Sequence, residues 1–277
     1  MSKIYPLLGV PSPFDPTSRF ATSWLLPPFL LASLRLLLSL YAFATISTIF
    51  AWDDSHRLAI TSRQSFSYFT NLTYWGLAFY FLFAALHTFS YARTGKAWLG
   101  GWPRPLQAAH AVFYTTVVTF PFLVTLVFWA VLYRHPFPVV EEWWSNISQH
   151  ALNSLFALFE ILLPRTSPPP PLHIVCLVIL LACYLALAYI THATEGFYPY
   201  SFLDPSKGSG RVIGYCFGIL IASCIIFGIV WGVIWLRNLA TQRLGLEGKF
   251  AVQRRKVDGL DVREEDVEMV EMQEESK

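Results

Sequence analysis

Six long apolar stretches, at 24–50, 68–90, 107–133, 148–164, 172–194 and 211–236, alternate with short connections that carry most of the polar residues and prolines. A helix needs about 20 consecutive apolar residues to cross a bilayer. The pattern therefore predicts an all-α, polytopic integral membrane bundle of about six transmembrane helices. The fourth stretch is the shortest and ends at Pro164, so a tilted or re-entrant segment is expected there. Tryptophans gather near the ends of the stretches (Trp52, Trp98, Trp102, Trp143, Trp144 and Trp235), where an amphipathic indole sits best at the membrane interface.

Composition agrees with lipid as the solvent. Of the 277 residues, 55% are hydrophobic and 14% charged, whereas a soluble domain carries about 25% charge. Three regions follow. An extension, 1–23, is broken by prolines and lacks the continuous apolar core of a cleavable signal peptide, so the first span is expected to direct insertion. The transmembrane domain occupies 24–240. A tail, 241–277, opens with basic residues and then becomes acidic, its last 20 residues holding nine of the 18 acidic groups. Too polar to bury much surface, it is expected to be a disordered cytoplasmic tail.

The Lys and Arg residues set the expected orientation. Lys3, Arg19, Arg93, Lys96, Arg104, Arg165 and the basic run after the last span fall on one side. Arg57, Arg63, Arg134, Lys207 and Arg211 fall on the other. Both termini are thereby expected in the cytoplasm. The four cysteines, Cys176, Cys183, Cys216 and Cys224, lie within predicted helices and read as inert core thiols, with no metal-binding spacing. No cofactor, metal or nucleic-acid partner is expected.

Candidate chemistry lies where ionisable groups interrupt the apolar stretches. Arg35, His150 and Glu160 do so, and a charge at the middle of a membrane helix costs at least about 2.5–3.5 kcal/mol unless protein or water receives it. Asn146, His150, Asn153, Ala157 and Glu160 recur at alternating intervals of four and three, which keeps them on one helix face. His150 and Glu160 are then about 15 Å apart along the axis at 1.5 Å per residue. This is too far for a direct bond, and an ion pair of Glu160 with Arg35 is the plainer role. Thr70 opens the second span; with three spans before the fourth, the second and fourth start on the same membrane side, so Thr70, His150 and the Tyr198 region can share one leaflet. A threonine hydroxyl becomes a nucleophile when a base such as histidine takes its proton. Threonines in membrane helices more often bond backbone carbonyls, so the residues alone leave both readings open. The His192/Glu195 pair reads as local hydrogen bonding rather than a metal site.

The segment 143–204 resembles the androgen-induced-gene family of membrane proteins. The likeness rests on Asn146, His150 and Glu160, and on the exit of the fifth span through Gly196, Tyr198, Pro199 and Phe202-Leu203-Asp204. Pro121, Phe128-Trp129 with Tyr133, and the short Phe69-Thr70 also fit. The resemblance implies an intramembrane threonine hydrolase that cleaves lipid esters, fatty acid esters of hydroxy fatty acids above all. It places the nucleophile at Thr70 and the base at His150. Thr73, one turn on, is a rival nucleophile. Asn71, Asn146, Asn153 and Tyr198 are candidate substrate-binding or oxyanion residues, with Glu160 as a further supporting group. Asn71 departs from the apolar residue expected beside the threonine. The host membrane is expected to be the endoplasmic reticulum or the plasma membrane. A transporter or channel with a polar pathway, or a non-catalytic membrane adaptor, is the alternative class.

Overall fold

A computed structural model describes residues 3–133, 137, 139–251, 254–257 and 260–263. Its main helices are α1 (Pro28–Ser55), α2 (Phe69–Thr94), α3 (Arg104–Val127), α4 (Val140–Ile147), α5 (Asn153–Leu162), α6 (His173–Glu195) and α7 (Ser209–Arg243). A π turn, Phe128–Leu132, continues α3, and a second, Ser148–Leu152, joins α4 to α5. Five helices are long and apolar enough to cross a membrane: α1, α2, α3 with its π turn, α6 and α7. The expected fourth span is built as two short helices and a π turn, and it is not one of those five. Past α7, Arg254–Val257 pairs antiparallel with Leu260–Arg263; the acidic end of the tail, Arg134 and His135 lie outside the described residues.

Local chemistry sets the helix ends. Pro28 starts α1, where a missing N–H costs nothing. α2 and α6 stop at Gly95 and Gly196, whose φ values of 65° and 77° suit a residue without a Cβ. Pro121 lies inside α3. Asn153 Nδ2 reaches the Pro121 carbonyl at 3.4 Å, while its Oδ1 accepts from Thr125 Oγ1 at 3.1 Å. The side chain thus staples α5 to the proline-bearing turn of α3.

The outward faces are apolar. Phe217, Ile221, Ile225 and Ile229 of α7 are 56–61% exposed, a stripe at four-residue spacing that only lipid solvates well. Cys183 and Cys224 are exposed and Cys176 and Cys216 half-buried, so these thiols lie on outer or cavity-facing positions rather than in the core.

The charges are inside instead. Arg35 of α1 and Glu160 of α5 are both 0% exposed and form a two-point ion pair, with Arg35 Nε to Glu160 Oε2 at 3.1 Å and Nη2 on Oε1. Arg35 Nη1 also donates to Thr88 Oγ1 at 2.6 Å and to the Phe20 carbonyl at 2.8 Å. Tyr80 donates to Glu160 Oε1 at 2.8 Å. Both charges therefore have their hydrogen-bonding capacity largely met, the condition under which burial is tolerable. Tyr80→Phe removes one charge-assisted bond from this network and should lower unfolding stability by about 1.5–3 kcal/mol, read by thermal unfolding in detergent.

The N-terminal extension is laced to the end of the bundle that carries the α5–α6 connection. Ser23 Oγ donates to the Leu163 carbonyl at 2.5 Å, Trp24 Nε1 to Leu162 at 2.7 Å, and Arg165 N to Thr22 at 2.9 Å. Arg19 donates to the Arg165 carbonyl at 3.2 Å and pairs with Glu247, just past α7. Arg237 of α7 caps the end of α5 by donating to the Ile161 and Thr166 carbonyls, the placement that favours a cation.

Candidate active site

α2 begins abruptly. Tyr68 is extended at φ −96°, ψ 130°, and no side chain caps the first turn. The preceding turn, Ser65–Ser67, is pinned from two sides. Asn71 Nδ2 donates to the Ser65 carbonyl at 2.9 Å and the Tyr184 hydroxyl to the Ser67 carbonyl at 3.1 Å. Thr70 is thereby held in the first turn of a long rigid helix, on the wall of a cavity of about 250 Å³ that it shares with Leu123, Phe128, Tyr184, Tyr200 and Cys216. The rest of the wall is Val, Leu, Ile, Phe and Ala side chains from α2, α3 and its π turn, α6, the α6–α7 loop and α7. Such a cavity accommodates an acyl chain better than a polar solute.

The two threonines of this turn differ. Thr73 Oγ1 donates to the Phe69 and Thr70 carbonyls, both at 2.9 Å, so its proton is committed to the backbone of α2. Thr70 instead lines the cavity together with Tyr200.

His150 lies in the π turn between α4 and α5 and is 8% exposed. Its Nδ1 is 3.0 Å from the Asn146 carbonyl. A carbonyl only accepts, so Nδ1 carries the proton in the neutral ring and Nε2 is left with a lone pair. The imidazole stacks on Phe128, with centroids 3.5 Å apart and planes 16° from parallel. Trp129 Nε1 donates to the His150 carbonyl at 2.9 Å. Two π turns therefore face each other here, one presenting His150 and the other Phe128 and Trp129. A π turn is a costly insertion in a helix and is commonly kept where a side chain must be re-aimed. The Phe128 ring touches the imidazole and also forms part of the cavity wall beside Thr70. No hydrogen bond joins Thr70 to His150 in this arrangement; among the described residues they meet through Phe128.

The remaining sequence candidates are placed elsewhere. Asn71 bonds the preceding turn, Asn146 Nδ2 donates to the Glu142 carbonyl at 2.8 Å, and Asn153 staples α5 to α3. Glu160 is held by Arg35 and Tyr80. Tyr198 stacks on His192 with centroids 3.9 Å apart and lines a different cavity, with Asp204 and Ser206. Glu195, expected to pair with His192, bonds Arg63 at 2.6 Å. Tyr200, two residues beyond Tyr198, and Tyr184 share the cavity wall with the threonine. Both were visible as intramembrane or near-membrane tyrosines, but nothing in their spacing marks which phenol turns inward.

A sequence model of the family described as FAR-17a/AIG1-like protein matches residues 24–233. No curated protein and no solved structure matches the chain.

Proposed function

The chain belongs to the FAR-17a/AIG1-like family, and from that premise we propose that it is an intramembrane lipid-ester hydrolase with Thr70 as nucleophile and His150 as base. The observation that carries this reading is the Thr70 hydroxyl on the wall of an apolar cavity, with a histidine whose unprotonated nitrogen is Nε2 stacked on another wall residue, Phe128. His150 Nε2 takes the Thr70 proton, directly or through one water, once the Phe128 ring shifts to admit it. Thr70 Oγ attacks the ester carbonyl, an acyl-threonine forms as the alcohol leaves, and water activated by the same imidazole releases the acid. Fatty acid esters of hydroxy fatty acids are the substrate class, since two chains joined by one ester suit a greasy cavity with few polar groups. The end of the bundle that carries the N-terminal extension and the basic run faces the cytoplasm, in the endoplasmic reticulum or plasma membrane.

A polar transport pathway gains no support from the charges, because Arg35 and Glu160 neutralise one another in the core. A fluorophosphonate probe on the purified protein tests the enzyme reading. Thr70 is expected to be the labelled residue, and label at Thr73 alone would move the nucleophile. His150→Gln should lower turnover of a branched fatty ester by about 10²–10⁴. Flux into proteoliposomes without any ester cleavage would replace the hydrolase by a transporter.

A further inference from the structure

Hydrolysis through Thr70 requires a donor for the negative oxygen of the tetrahedral intermediate, and none of the asparagines is placed to supply it. Asn71, Asn146 and Asn153 are each turned to a backbone carbonyl away from the cavity. The cavity wall itself offers two phenols, Tyr184 and Tyr200. Tyr184 is already committed, donating to the Ser67 carbonyl at 3.1 Å.

Tyr200 is differently placed. It belongs to the loop between α6 and α7, where Asp204 Oδ1 accepts from Ser206 N at 2.9 Å and from Ser206 Oγ at 2.6 Å and so fixes the turn that follows. Its ring is packed edge-on against Tyr68 at 5.8 Å, parallel to Phe202 at 5.2 Å, and beside Tyr184 at 6.3 Å. Tyr200 shares the cavity wall with Phe69 and Thr70, which open the uncapped first turn of α2, and with Tyr184. Tyr184 gives its proton to the Ser67 carbonyl, so the Tyr200 O–H is the phenol donor on this wall that remains for an oxygen arriving in the cavity. Burial pushes the Tyr200 phenol above its ordinary value, which keeps it protonated at neutral pH.

We propose that Tyr200 is the oxyanion donor of the Thr70 reaction, with the rings of Tyr68 and Tyr184 as the groups that position it. This inference rests on the hydrolase reading above. As Thr70 Oγ bonds to the ester carbon, the carbonyl π pair moves onto oxygen and the threonine proton passes to His150. Tyr200 keeps its proton and donates a hydrogen bond to that oxygen. On collapse the pair returns to the carbonyl, the bond to the leaving alkoxide breaks, and the imidazolium gives the alkoxide its proton. The hydrogen bond matters more in the intermediate than in the ground state, so the effect belongs in kcat.

Tyr200→Phe tests this in purified protein with a branched fatty ester. kcat is expected to fall by about 10²–10³, the usual cost of losing one oxyanion donor, with KM changed by no more than about twofold. Wild-type kcat in Tyr200→Phe overturns the assignment. Should that variant fail to accumulate, 3-fluorotyrosine placed at 200 keeps the ring and hydroxyl but lowers the phenol pKa. The alkaline limb of the kcat–pH profile must then move to lower pH, and an unmoved limb overturns the proposal. Labelling of Thr70 in the wild type separates the two levels. If Thr70 is labelled and Tyr200 is dispensable, only the donor falls; if Thr70 is never labelled, the hydrolase reading falls first.

Discussion

Thr70→Ala is expected to yield a folded, membrane-inserted protein with no measurable ester turnover. The structural cost should be small because Thr70 lines the cavity, while its carbonyl goes on accepting from Thr73. The chemical cost is total for covalent catalysis. In hydrolases that act through a hydroxyl nucleophile and its base, removal of the nucleophile lowers kcat by about 10⁴-fold or more. Thr73→Ala is the informative comparison. It deletes a hydroxyl that bonds only backbone carbonyls, and side chains bonded back to their own helix contribute little to its stability. Turnover should survive there. Initial rates on a branched fatty ester, with thermal unfolding in the same detergent, decide both; a Thr70→Ala protein with wild-type rates would remove the nucleophile from the mechanism.

The largest effect on stability is expected from Glu160→Gln or Arg35→Met. Either change leaves a full charge without its opposite in a site that is 0% exposed. Breaking one side of a buried pair costs about 3–5 kcal/mol, because the surviving ion keeps its desolvation penalty. For Arg35→Met the Thr88 hydroxyl and the Phe20 carbonyl also lose a donor. For Glu160→Gln the loss includes the acceptor of Tyr80. The double change Arg35→Met with Glu160→Gln removes both charges and should recover part of the stability. That recovery distinguishes a charge effect from a packing effect, since independent packing losses at the two positions would add. Unfolding midpoints of the two single variants and the double variant supply the comparison.

Five of the six expected spans and the core ion pair were legible for the same reason: each is a large free energy written in residue type. Apolar runs of membrane length have few alternatives, and Arg35 and Glu160 could not face lipid. The observed helices extend beyond several sequence-based boundaries, as α7 does to Arg243. This happens because hydrogen bonding continues past the point where hydropathy falls. The interruption of the fourth stretch at Ser148–Leu152 was not legible. A π turn adds a residue to a helix whose amino acids remain ordinary helix formers, and tertiary contacts such as Trp129 on the His150 carbonyl compensate it. The site divided in the same way. Thr70 came from family resemblance, which also named His150. The choice between Tyr198 and Tyr200 depends on how a proline-bearing loop turns, and two residues of offset send one ring against His192 and the other onto the cavity wall that Thr70 shares. For the asparagines residue type alone could not decide, because an amide satisfies a nearby backbone carbonyl, as Asn71, Asn146 and Asn153 do, as readily as it would a ligand.

The contact between Arg19 and Glu247 imposes a parity on the whole chain. Two residues that touch outside the hydrocarbon lie on the same face of a bilayer, so the polypeptide between them must traverse it an even number of times. The five long helices alone are an odd number. The bonds from Ser23 and Trp24 to Leu163 and Leu162 bring the two ends of one stretch of chain together. Between those partners lie α1, α2, α3 and the interrupted Val140–Leu162 segment, and only if that segment also passes from one leaflet to the other does the count close. Its two halves, each too short to span unaided, would then act as one stepped rod, with His150 at the step.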